Sequence, residues 1–519
     1  MDCLSFLLSL LSAWLAIHYL LSSALRGIKL SSKRVPPCPF PLVKLSYKRM
    51  PPGPFPLPIF GNLFKLGTTP HISMAEMAQT YGPIMILQLG QLPTVIISSA
   101  AVAKEVLKTN DISFSNRTVP DAAYAINHHE SSVGWLPVSD QWRTLRKICI
   151  SQLFSIRRLD AQEGLRREKV EELISYVERC SQAGIAVDIG HAAFIINLNM
   201  LSRTFFSFDL GDSSSEFCRE FKDIVQGIMD ENGKPNLADY FPILKRIDPQ
   251  GIRRNTEAHY KKMIHIFNTL IEQRLQGKRP PGSVKDTDVL DALLGINQET
   301  PKDQIERSQI PHLLLDLFAA GADTTPKTIE WAMAELLRNP EKLKKAQAEL
   351  HEIIGKENPV EELEIARLPY LQAVVKETLR LHPAAPFLVP RKAETDTLLC
   401  GFTVPKNAQV LVNAWAIGRD SSAWENPYSF EPERFLGKEI DVKGRDFELI
   451  PFGAGRRMCP GMPMAMRMLH LMLGSLIHRF YWRLADGITP ENMDMEEKVA
   501  FTLQKAQALR AIPIPVETE

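Results

Sequence analysis

The chain has 519 residues, of which 45% are hydrophobic and 23% are charged, a balance that excludes a disordered or fibrous protein. Its 61 Lys and Arg residues and 60 Asp and Glu residues leave a formal net charge of +1, which gives no argument for binding to nucleic acid. The seven cysteines are widely spaced, odd in number and without a C-x-x-C pair, so the sequence predicts neither a disulfide framework nor a zinc site.

The first predicted element is an apolar segment, residues 4–25, which contains no charged residue. A helix rises about 1.5 Å per residue, so this segment is long enough to cross a hydrocarbon core of about 30 Å. Basic residues follow it at once and only Asp2 precedes it, which directs the C-terminal side to the cytosol. We therefore predict an uncleaved transmembrane anchor over residues 1–27. A cleavable signal peptide is the alternative, but its basic residues would usually come first.

A basic and proline-rich linker is predicted next, over residues 28–58. It contains two similar runs, PPCPFPLV from Pro36 and PPGPFPLP from Pro51. Proline fixes φ and cannot donate a backbone hydrogen bond, so we expect semi-rigid spacers here. Residues 59–519 show no repeat and no second linker, which predicts one large domain.

The large domain is mostly helical in pattern, with short strand-like pieces. Residues 84–99 contain two β-branched runs separated by a turn, which predicts a β-hairpin. Apolar residues recur at spacings of three and four, as in helices, over residues 101–109, 163–182, 216–230 and 257–276. Residues 276–288 predict a polar loop, and residues 309–338 predict one long helix, apolar on nearly every face. The predicted fold class is mainly α with small β-sheets.

The clearest chemical signal is the run PFGAGRRMCPG, residues 451–461, which is followed by a strongly apolar helix. Cys459 thus lies in a glycine-rich turn before a helix N-terminus, where unpaired N–H groups and the helix dipole stabilise a thiolate. The glycines let the backbone approach a flat ligand, and Arg457 can reach an anionic group at the ligand's edge. A buried, inert cysteine is the alternative for a lone Cys, but this spacing argues against it. A dinucleotide-binding loop is excluded as an interpretation of this run, because Met458 occupies the position of the third glycine of such a loop.

Phe452, Gly455, Arg457, Cys459 and Gly461 resemble, at every fixed position, the haem-binding signature F-x-x-G-x-R-x-C-x-G of the cytochrome P450 superfamily. The resemblance implies the P450 fold after about residue 50. It implies haem b as the cofactor, Cys459 as the axial ligand of the haem iron, and Phe452 and Arg457 as cofactor-binding residues. Residues 59–519 would then be a haem-thiolate monooxygenase domain that follows one N-terminal transmembrane helix.

Two further motifs support the resemblance through charged residues. Trp142 and Arg146 resemble the family pattern W-x-x-x-R, which binds a haem propionate, and Arg391 looks like the third propionate contact. Each of these residues, taken alone, is also compatible with a position on the surface. Glu377 and Arg380 lie three apart on a helix predicted to begin near Pro369, so they can pair. In the family they join a second arginine, here Arg434, in a network that stabilises the fold.

The long central helix contains AGADTT, residues 320–325, which resembles the oxygen-activation motif of the family. An acid beside a hydroxyl is costly in an apolar helix unless both are used. The resemblance assigns the catalytic roles to Thr324, which would hydrogen-bond dioxygen, and to Asp323, which would connect it to protons from solvent. Pro326 departs from the usual pattern because it has no N–H for the carbonyl of Ala322, and we predict a distortion of the helix there.

The resemblance also implies the partners and the location. The chain has no flavin or nicotinamide site of its own, so electrons from NADPH would arrive through NADPH-cytochrome P450 reductase. Arg143, Arg146 and Lys147 are predicted to form its docking patch, although a solvated helix face is the alternative. The anchor implies the membrane of the endoplasmic reticulum, with the catalytic domain facing the cytosol.

Comparison with the family assigns four segments to the substrate pocket, namely residues 117–136, 313–324, 384–389 and 499–503. They offer apolar residues such as Phe387, Phe501 and Leu503, which predicts a small to medium apolar substrate. His128 and His129 are interpreted as histidines of a surface loop, and a position near the access route of the substrate is the alternative.

Longer stretches, such as LPYLQAVVKETLRLHP and GRDFELIPFGAGRR, resemble plant microsomal enzymes related to geraniol 8-hydroxylase. We therefore expect hydroxylation of a monoterpenoid or another terpenoid, in secondary metabolism. An aromatic amino-acid or alkaloid-type substrate is the alternative within the family. A reductase-independent isomerase or dehydratase and a non-enzymatic haem sensor are further alternatives, and the pair Asp323 and Thr324 argues against both.

Overall fold

The computed structural model describes residues 49–210, 216–279, 288–299, 305–485 and 487–516. The predicted anchor lies outside these ranges, as does the predicted linker up to residue 48. Within them, no helix is both long enough and apolar enough to cross a membrane. Arg49–Glu519 cluster into one compact unit.

Helices make up most of the described chain, as the sequence predicted. The α-helices are α1 (Pro70–Tyr81), α2 (Ala100–Lys104), α3 (Asp111–Phe114), α4 (Asp140–Ile148), α5 (Ile156–Ala161), α6 (Glu163–Gln182), α7 (Ile189–Phe206), α8 (Glu216–Gly233), α9 (Leu237–Tyr240), α10 (Ile252–Leu275), α11 (Val289–Glu299), α12 (Ile310–Arg338), α13 (Pro340–Ile353), α14 (Pro369–Leu381), α15 (Ala414–Ile417) and α16 (Met462–Arg479). Two π-helical turns, Glu105–Thr109 and Cys149–Leu153, extend α2 and α4.

The 3₁₀ helices connect these elements, namely Leu63–Lys65, Asp121–Glu130, Pro242–Arg246, Arg307–Gln309, Glu362–Arg367, Pro432–Phe435 and Gly455–Arg457. A kink at residues 125–127 divides Asp121–Glu130 into two helical turns. The strands are short. They are β1 (Ile84–Leu89), β2 (Leu92–Ile97), β3 (Asn116–Arg117), β4 (Val187–Asp188), β5 (Arg391–Lys392), β6 (Thr397–Leu399), β7 (Phe402–Val404), β8 (Gln409–Val412), β9 (Phe480–Leu484), β10 (Glu497–Val499), β11 (Leu503–Lys505) and β12 (Arg510–Pro515).

The strands form small sheets at the edges of the helical core. The largest has the order β1-β2-β8-β5-β3, with β2 and β8 parallel and the other neighbours antiparallel. The smaller sheets, β4-β12-β9, β6-β7 and β10-β11, are antiparallel.

Sequence signals at the helix ends explain where several helices begin. Ser139 precedes α4, and its hydroxyl oxygen accepts a hydrogen bond from the N–H of Trp142 at 3.2 Å, which caps the helix. Prolines occupy the first turn of α1, α12, α13, α14 and α16. Their missing N–H costs little there, because N–H groups in the first turn have no acceptor within the helix.

The long helix α12 lies at the centre of the core, against α7, α10, α14 and α16. Four phenylalanine rings surround Phe318 of α12, with ring centroids at 5.0 Å for Phe205, 5.6 Å for Phe206, 5.4 Å for Phe221 and 5.5 Å for Phe267. Aromatic pairs at such distances contribute about 0.5–1.5 kcal/mol each beyond the area that they bury. A helix surrounded in this way must be apolar on nearly every face.

Most elements lie close to the bounds that the sequence predicted. The hairpin over residues 84–99 is β1 and β2, and the long helix over residues 309–338 is α12. The helix predicted over residues 257–276 begins earlier, at Ile252, because Gly251 adopts a left-handed conformation with φ of 69° immediately before it. The polar loop predicted over residues 276–288 lies largely outside the described residues.

The helix α12 runs without interruption through Pro326, and the distortion predicted there from the sequence stays a prediction. Proline has no N–H for the carbonyl of Ala322, and the buried side-chain amide of Asn197 on α7 supplies a donor instead. The Nδ2 atom of Asn197 lies 3.4 Å from the carbonyl oxygen of Ala322 and 2.8 Å from that of Gly321. A side chain of the neighbouring helix therefore compensates for the N–H that the proline lacks.

Candidate active site

The glycine-rich turn before α16 forms a tight loop that presents Cys459. The N–H of Cys459 donates to the carbonyl of Phe452 at 2.9 Å, which closes the loop. Gly455 has φ of 70°, and a Cβ atom there would lie 2.1 Å from the carbonyl oxygen of Leu107. Only glycine fits at this position, because any side chain would collide with the backbone of the neighbouring segment.

The thiol of Cys459 lies immediately before the N-terminus of α16. The backbone N–H groups of Gly461 and Met462 favour the thiolate form of this sulfur, as the sequence predicted for a helix N-terminus. Burial among protein atoms nevertheless raises the pKa of the thiol, and the two N–H groups and the charge of Arg146 oppose this rise only in part. A metal ion bound to the sulfur would deprotonate it outright. The loop therefore offers a thiol that becomes a thiolate when it binds a metal.

Four arginine side chains, which we call the arginine cluster, lie around this loop: Arg117, Arg146, Arg391 and Arg457. Burial lowers the pKa of each guanidinium group, to about 10 for Arg391 and to about 9 for Arg457, and repulsion within the cluster lowers the pKa of Arg457 further. In the part of the chain that the structure describes, none of the four forms a salt bridge. Buried guanidinium groups are normally paired with anions, so this cluster suits an anionic ligand.

Backbone carbonyls hold the guanidinium groups in place. Arg457 donates to the carbonyls of Ser115 (2.9 Å), Val133 (3.3 Å) and Leu136. Arg391 donates to those of Phe114 (3.2 Å) and Ala454 (3.4 Å), and Arg117 donates to those of Val389 (2.7 Å) and Gly134 (3.3 Å). Arg146 donates to the carbonyl of Met458. The indole of Trp142 donates to the carbonyl of Val133 at 3.1 Å, and its ring lies 4.3 Å from the guanidinium of Arg457. The predicted residues Trp142, Arg146, Arg391 and Arg457 are thus neighbours in space.

Arg117 also belongs to the arginine cluster, although the sequence predicted it only as the first residue of a pocket segment. It is the register partner of Arg391, on the antiparallel strands β3 and β5. Each of these strands has only two residues, and they are far apart in the sequence. No local sequence pattern predicts the pairing of two such short and distant strands. The sequence therefore gave no indication that Arg117 lies beside Arg391.

The donor set fits haem b. This cofactor carries two propionates at one edge and an iron that a thiolate can ligate. The arginine cluster supplies positive charge without a carboxylate partner, and Cys459 supplies the sulfur beside it. Charge-assisted hydrogen bonds to the propionates would balance the buried guanidinium groups.

Asp323 and Thr324, to which the resemblance assigns oxygen activation, lie next to each other on α12. Asp323 is buried, which raises its pKa, and one of its carboxylate oxygens accepts a hydrogen bond from the hydroxyl of Thr502. The half-buried Thr324 donates to the carbonyl of Ala320 at 3.0 Å. The contact with Thr502 comes from a distant hairpin and was not predicted.

The prediction that His128 and His129 both belong to a surface loop is wrong for His128. His128 is buried, and its Nδ1 lies 3.0 Å from Nδ1 of His312 while its Nε2 lies 3.0 Å from the carboxylate of Asp316. Asp316 also accepts from the N–H of Val133 at 2.7 Å. The first turns of α12 therefore cover this loop. Leu503, predicted to line the pocket, is also fully buried in the core.

A second group of charges, which we call the glutamate network, lies away from the cysteine loop. Glu377 accepts two hydrogen bonds from Arg380, both at 2.7 Å, and one from Arg434 at 2.9 Å. Glu377 is 0% exposed and Arg380 is 1% exposed. The pairing predicted from the sequence is therefore present and buried.

Comparisons with known proteins agree with this geometry. The profile of the family described as Cytochrome P450 matches residues 51–510. The chain is similar to geraniol 8-hydroxylase from Swertia mussotii, with 54% identity over 96% of this chain and 97% of that protein. It is similar to drimenol monooxygenase from Persicaria hydropiper, with 56% identity over 89% of this chain and 91% of that protein. A zebra fish cytochrome P450 solved with abiraterone has a TM-score of 0.73 and 25% identity, over 87% of this chain and 100% of that chain.

The match to the family profile covers most of the chain, and the two relatives are hydroxylases or monooxygenases that align over nearly their whole length. The shared fold, the thiol loop and the donor set for haem b point to the same conclusion. This chain belongs to the cytochrome P450 family of haem-thiolate monooxygenases.

Proposed function

We propose that this P450 hydroxylates a small, apolar terpenoid alcohol, with Cys459 as the axial ligand of the haem iron. The observation that carries the site assignment is the arginine cluster, which has no carboxylate partner among the described residues and lies beside a thiol at a helix N-terminus. Trp142, Arg146, Arg391 and Arg457 would bind the propionates, together with Arg117. P450 monooxygenases draw on O2 and on a reductase as redox partner.

Bound haem supplies the oxygen chemistry, and the chain's own residues position groups and move protons. We assign Asp323 to proton transfer, because its buried carboxyl group directly precedes Thr324 on α12 and burial raises its pKa, which makes it a better proton acceptor. Thr324 follows it on α12, and its hydroxyl can turn from the carbonyl of Ala320 to donate toward dioxygen. Phe452 belongs to the loop that supports Cys459.

The substrate class is supported by two of the relatives, a geraniol 8-hydroxylase and a drimenol monooxygenase, whose names specify terpenoid alcohols. The decisive test reconstitutes the protein with a reductase and NADPH under ¹⁸O2 and offers geraniol and drimenol. We expect a hydroxylated product that carries one heavy oxygen atom. The proposal is wrong for this substrate class if neither alcohol shifts the haem spectrum nor yields a product.

Two cysteine variants test whether Cys459 is the specific ligand of the haem iron. Cys459→Ala should abolish both the red-shifted ferrous–CO band of a thiolate-ligated haem and product formation. Cys400→Ala, at an exposed turn, should change neither. A product that forms without NADPH and reductase would favour an isomerase or dehydratase instead.

We propose membrane attachment through the anchor over residues 1–27 and through an apolar surface of the described chain. Phe55, Phe64 and Ile243 are 87%, 71% and 78% exposed, and Phe60 contacts both Phe64 and Phe241. Such a patch on a folded protein marks a surface that is covered by another apolar phase.

Removal of residues 1–27 should therefore weaken flotation with phospholipid vesicles without abolishing it. The double substitution Phe55→Asp and Ile243→Asp in the shortened chain should abolish the remaining flotation. Attachment to the endoplasmic reticulum, with the catalytic domain in the cytosol, is part of this proposal.

The electron donor that we propose is NADPH-cytochrome P450 reductase, bound at the face of the cysteine loop. Arg143 and Lys147 are exposed on α4, and Arg146 beside them donates to the carbonyl of Met458 next to Cys459. Charge reversal at Arg143 should raise the KM for reductase, most strongly at low salt, and leave the ferrous–CO spectrum unchanged. The patch is not the docking site if the KM stays constant.

A further inference from the structure

The hairpin of β10 and β11 is fixed to the core at both of its strands. Glu497, at its base, lies 2.7 Å from Nε2 of His71 and accepts from the indole of Trp415 at 3.1 Å. At the start of β11, the carbonyl of Leu503 accepts from the indole of Trp331 on α12 at 3.3 Å. These contacts hold the turn between the strands, residues 500–502, against α12.

The turn contacts both α8 and the acid of α12. A Cβ atom at Gly233, the last residue of α8, would lie 2.4 Å from the backbone nitrogen of Phe501, so the two segments approach very closely. The hydroxyl of Thr502 donates to Oδ2 of Asp323, and these residues are 2% and 5% exposed. Among the described residues, no other group donates a hydrogen bond to this carboxylate, and Lys327 and Asp230 act on it only through their charges.

A threonine hydroxyl is a suitable partner for a carboxyl group that changes its protonation state. It donates to the carboxylate and accepts from the carboxylic acid, whereas a lysine or an arginine can only donate. A buried carboxyl group that lacked this partner would lose both its hydrogen bond and its fixed orientation. One contact can therefore hold Asp323 in both states.

We propose that Thr502 is the positioning residue of Asp323 and holds its carboxyl group in the orientation from which protons reach Thr324. The inference rests on the role proposed above for Asp323. Thr502 acts on proton transfer only through Asp323. The hairpin of β10 and β11, which carries Thr502 and the partly exposed Phe501 at its turn, therefore sets the geometry of proton transfer.

The first test follows the protonation of Asp323 by infrared spectroscopy in the full-length holoenzyme. Asp323→Asn identifies the carboxylic-acid band by removing it, and ferrous–CO spectra show that each variant binds haem as the unmodified protein does. Thr502→Val is expected to move the pH midpoint of the band upward, because the hydroxyl lowers the pKa of Asp323. Thr502→Ser, which keeps the hydroxyl, should leave the midpoint in place. An unmoved midpoint in Thr502→Val overturns the inference.

The second test measures NADPH consumption and hydrogen peroxide release with reductase, neither of which requires an identified product. Thr502→Val should slow turnover by about tenfold and raise the share of electrons lost as peroxide, whereas Thr502→Ser should restore both. In the Asp323→Asn background, Thr502→Val should add nothing. An equal effect in both backgrounds overturns the inference, because Thr502 would then act independently of the acid. If Asp323→Asn alone changes neither rate, the proposed role of Asp323 fails, while the infrared midpoint still tests the contact.

Discussion

The glutamate network and the arginine cluster are both buried groups of charge, but only the first is complete. In the glutamate network, Glu377 faces Arg380 and Arg434, and backbone carbonyls of Pro427 and Ser429 accept further N–H groups of Arg380. In the arginine cluster, backbone carbonyls accept the hydrogen bonds of the guanidinium groups, and the carboxylate of Asp111 acts on Arg391 only through its charge. Burial lowers the pKa values of these groups.

The difference shows which buried charges serve the fold and which serve a ligand. Desolvation of charge is costly in both places, and a counter-charge offsets that cost only in the glutamate network. The arginine cluster is therefore unfavourable by itself and gains most from an anion that neutralises it. Substitutions in the glutamate network should weaken the fold with or without haem, whereas substitutions in the arginine cluster should act mainly on haem binding.

The largest expected effect comes from Glu377→Gln. It leaves Arg380 and Arg434 buried without a counter-charge, which should lower the free energy of unfolding by about 3–5 kcal/mol. Urea unfolding followed by circular dichroism measures the loss.

Glu364→Gln is the matched control, because Glu364 and Arg367 also lie three residues apart and pair at 2.6 Å, but at the surface. This substitution should cost less than about 1 kcal/mol, since water and salt screen exposed pairs. Equal losses in the two variants would show that burial does not distinguish the two pairs.

Arg457→Gln should affect haem more than the fold. It removes a charge that repels Arg391 and Arg117, so the apoprotein should not lose stability on the scale of Glu377→Gln. Haem should dissociate about tenfold faster or more, because a charge-assisted hydrogen bond to a propionate is lost. The transfer of haem to excess apomyoglobin measures this rate.

The neighbouring Arg456 provides the control for this prediction. It is exposed and pairs with Asp111 at 2.7 Å. Arg456→Gln should leave the rate of haem transfer unchanged. If both substitutions accelerate the transfer equally, the effect belongs to the loop and not to the arginine cluster.

Asn197 and Pro326 form a buried polar contact without formal charges, in contrast to the glutamate network. We expect substitution of Asn197 to cost somewhat less stability than Glu377→Gln. Asn197→Leu leaves the carbonyl of Ala322 without its side-chain donor and should cost about 1–3 kcal/mol in urea unfolding. In a Pro326→Ala background the backbone N–H returns, so the same substitution should cost clearly less. Strictly additive costs would show that Asn197 does not compensate for the proline.

The sequence predicted those parts of the site that depend on short spacing. The loop of Cys459 and the pairing of Glu377 with Arg380 follow from residues that are neighbours on a turn or a helix, and both are present. Arg117 and Thr502 were missed because strand pairing and a hairpin contact bring them to the site from distant positions. The burial of His128 was missed for the same reason, since α12 covers it. Local patterns therefore identify the chemistry of a site, whereas long-range packing completes it.

The smallest expected effect concerns the stability that neutral His312 contributes to the fold. A loop connects this histidine to the arginine cluster. Asp316 holds Val133 through its N–H, and the carbonyl of Val133 accepts from Arg457, so this loop connects the histidines to the cluster. Burial, and then the charge of His128, lower the pKa of His312 to about 4, whereas an unfolded histidine has a pKa of about 6.5.

The unfolded chain thus binds more protons than the folded protein between these two pKa values. The stability contributed by neutral His312 is complete above about pH 6.5 and is lost as the pH falls toward about 4. His312→Gln should therefore lose less stability than the unmodified protein between pH 7 and pH 4.5 in urea unfolding. The buried His470, whose pKa is also lowered to about 4, titrates in both proteins and cancels in the difference. Parallel losses in the two proteins would mean that protonation of His312 does not weaken the fold.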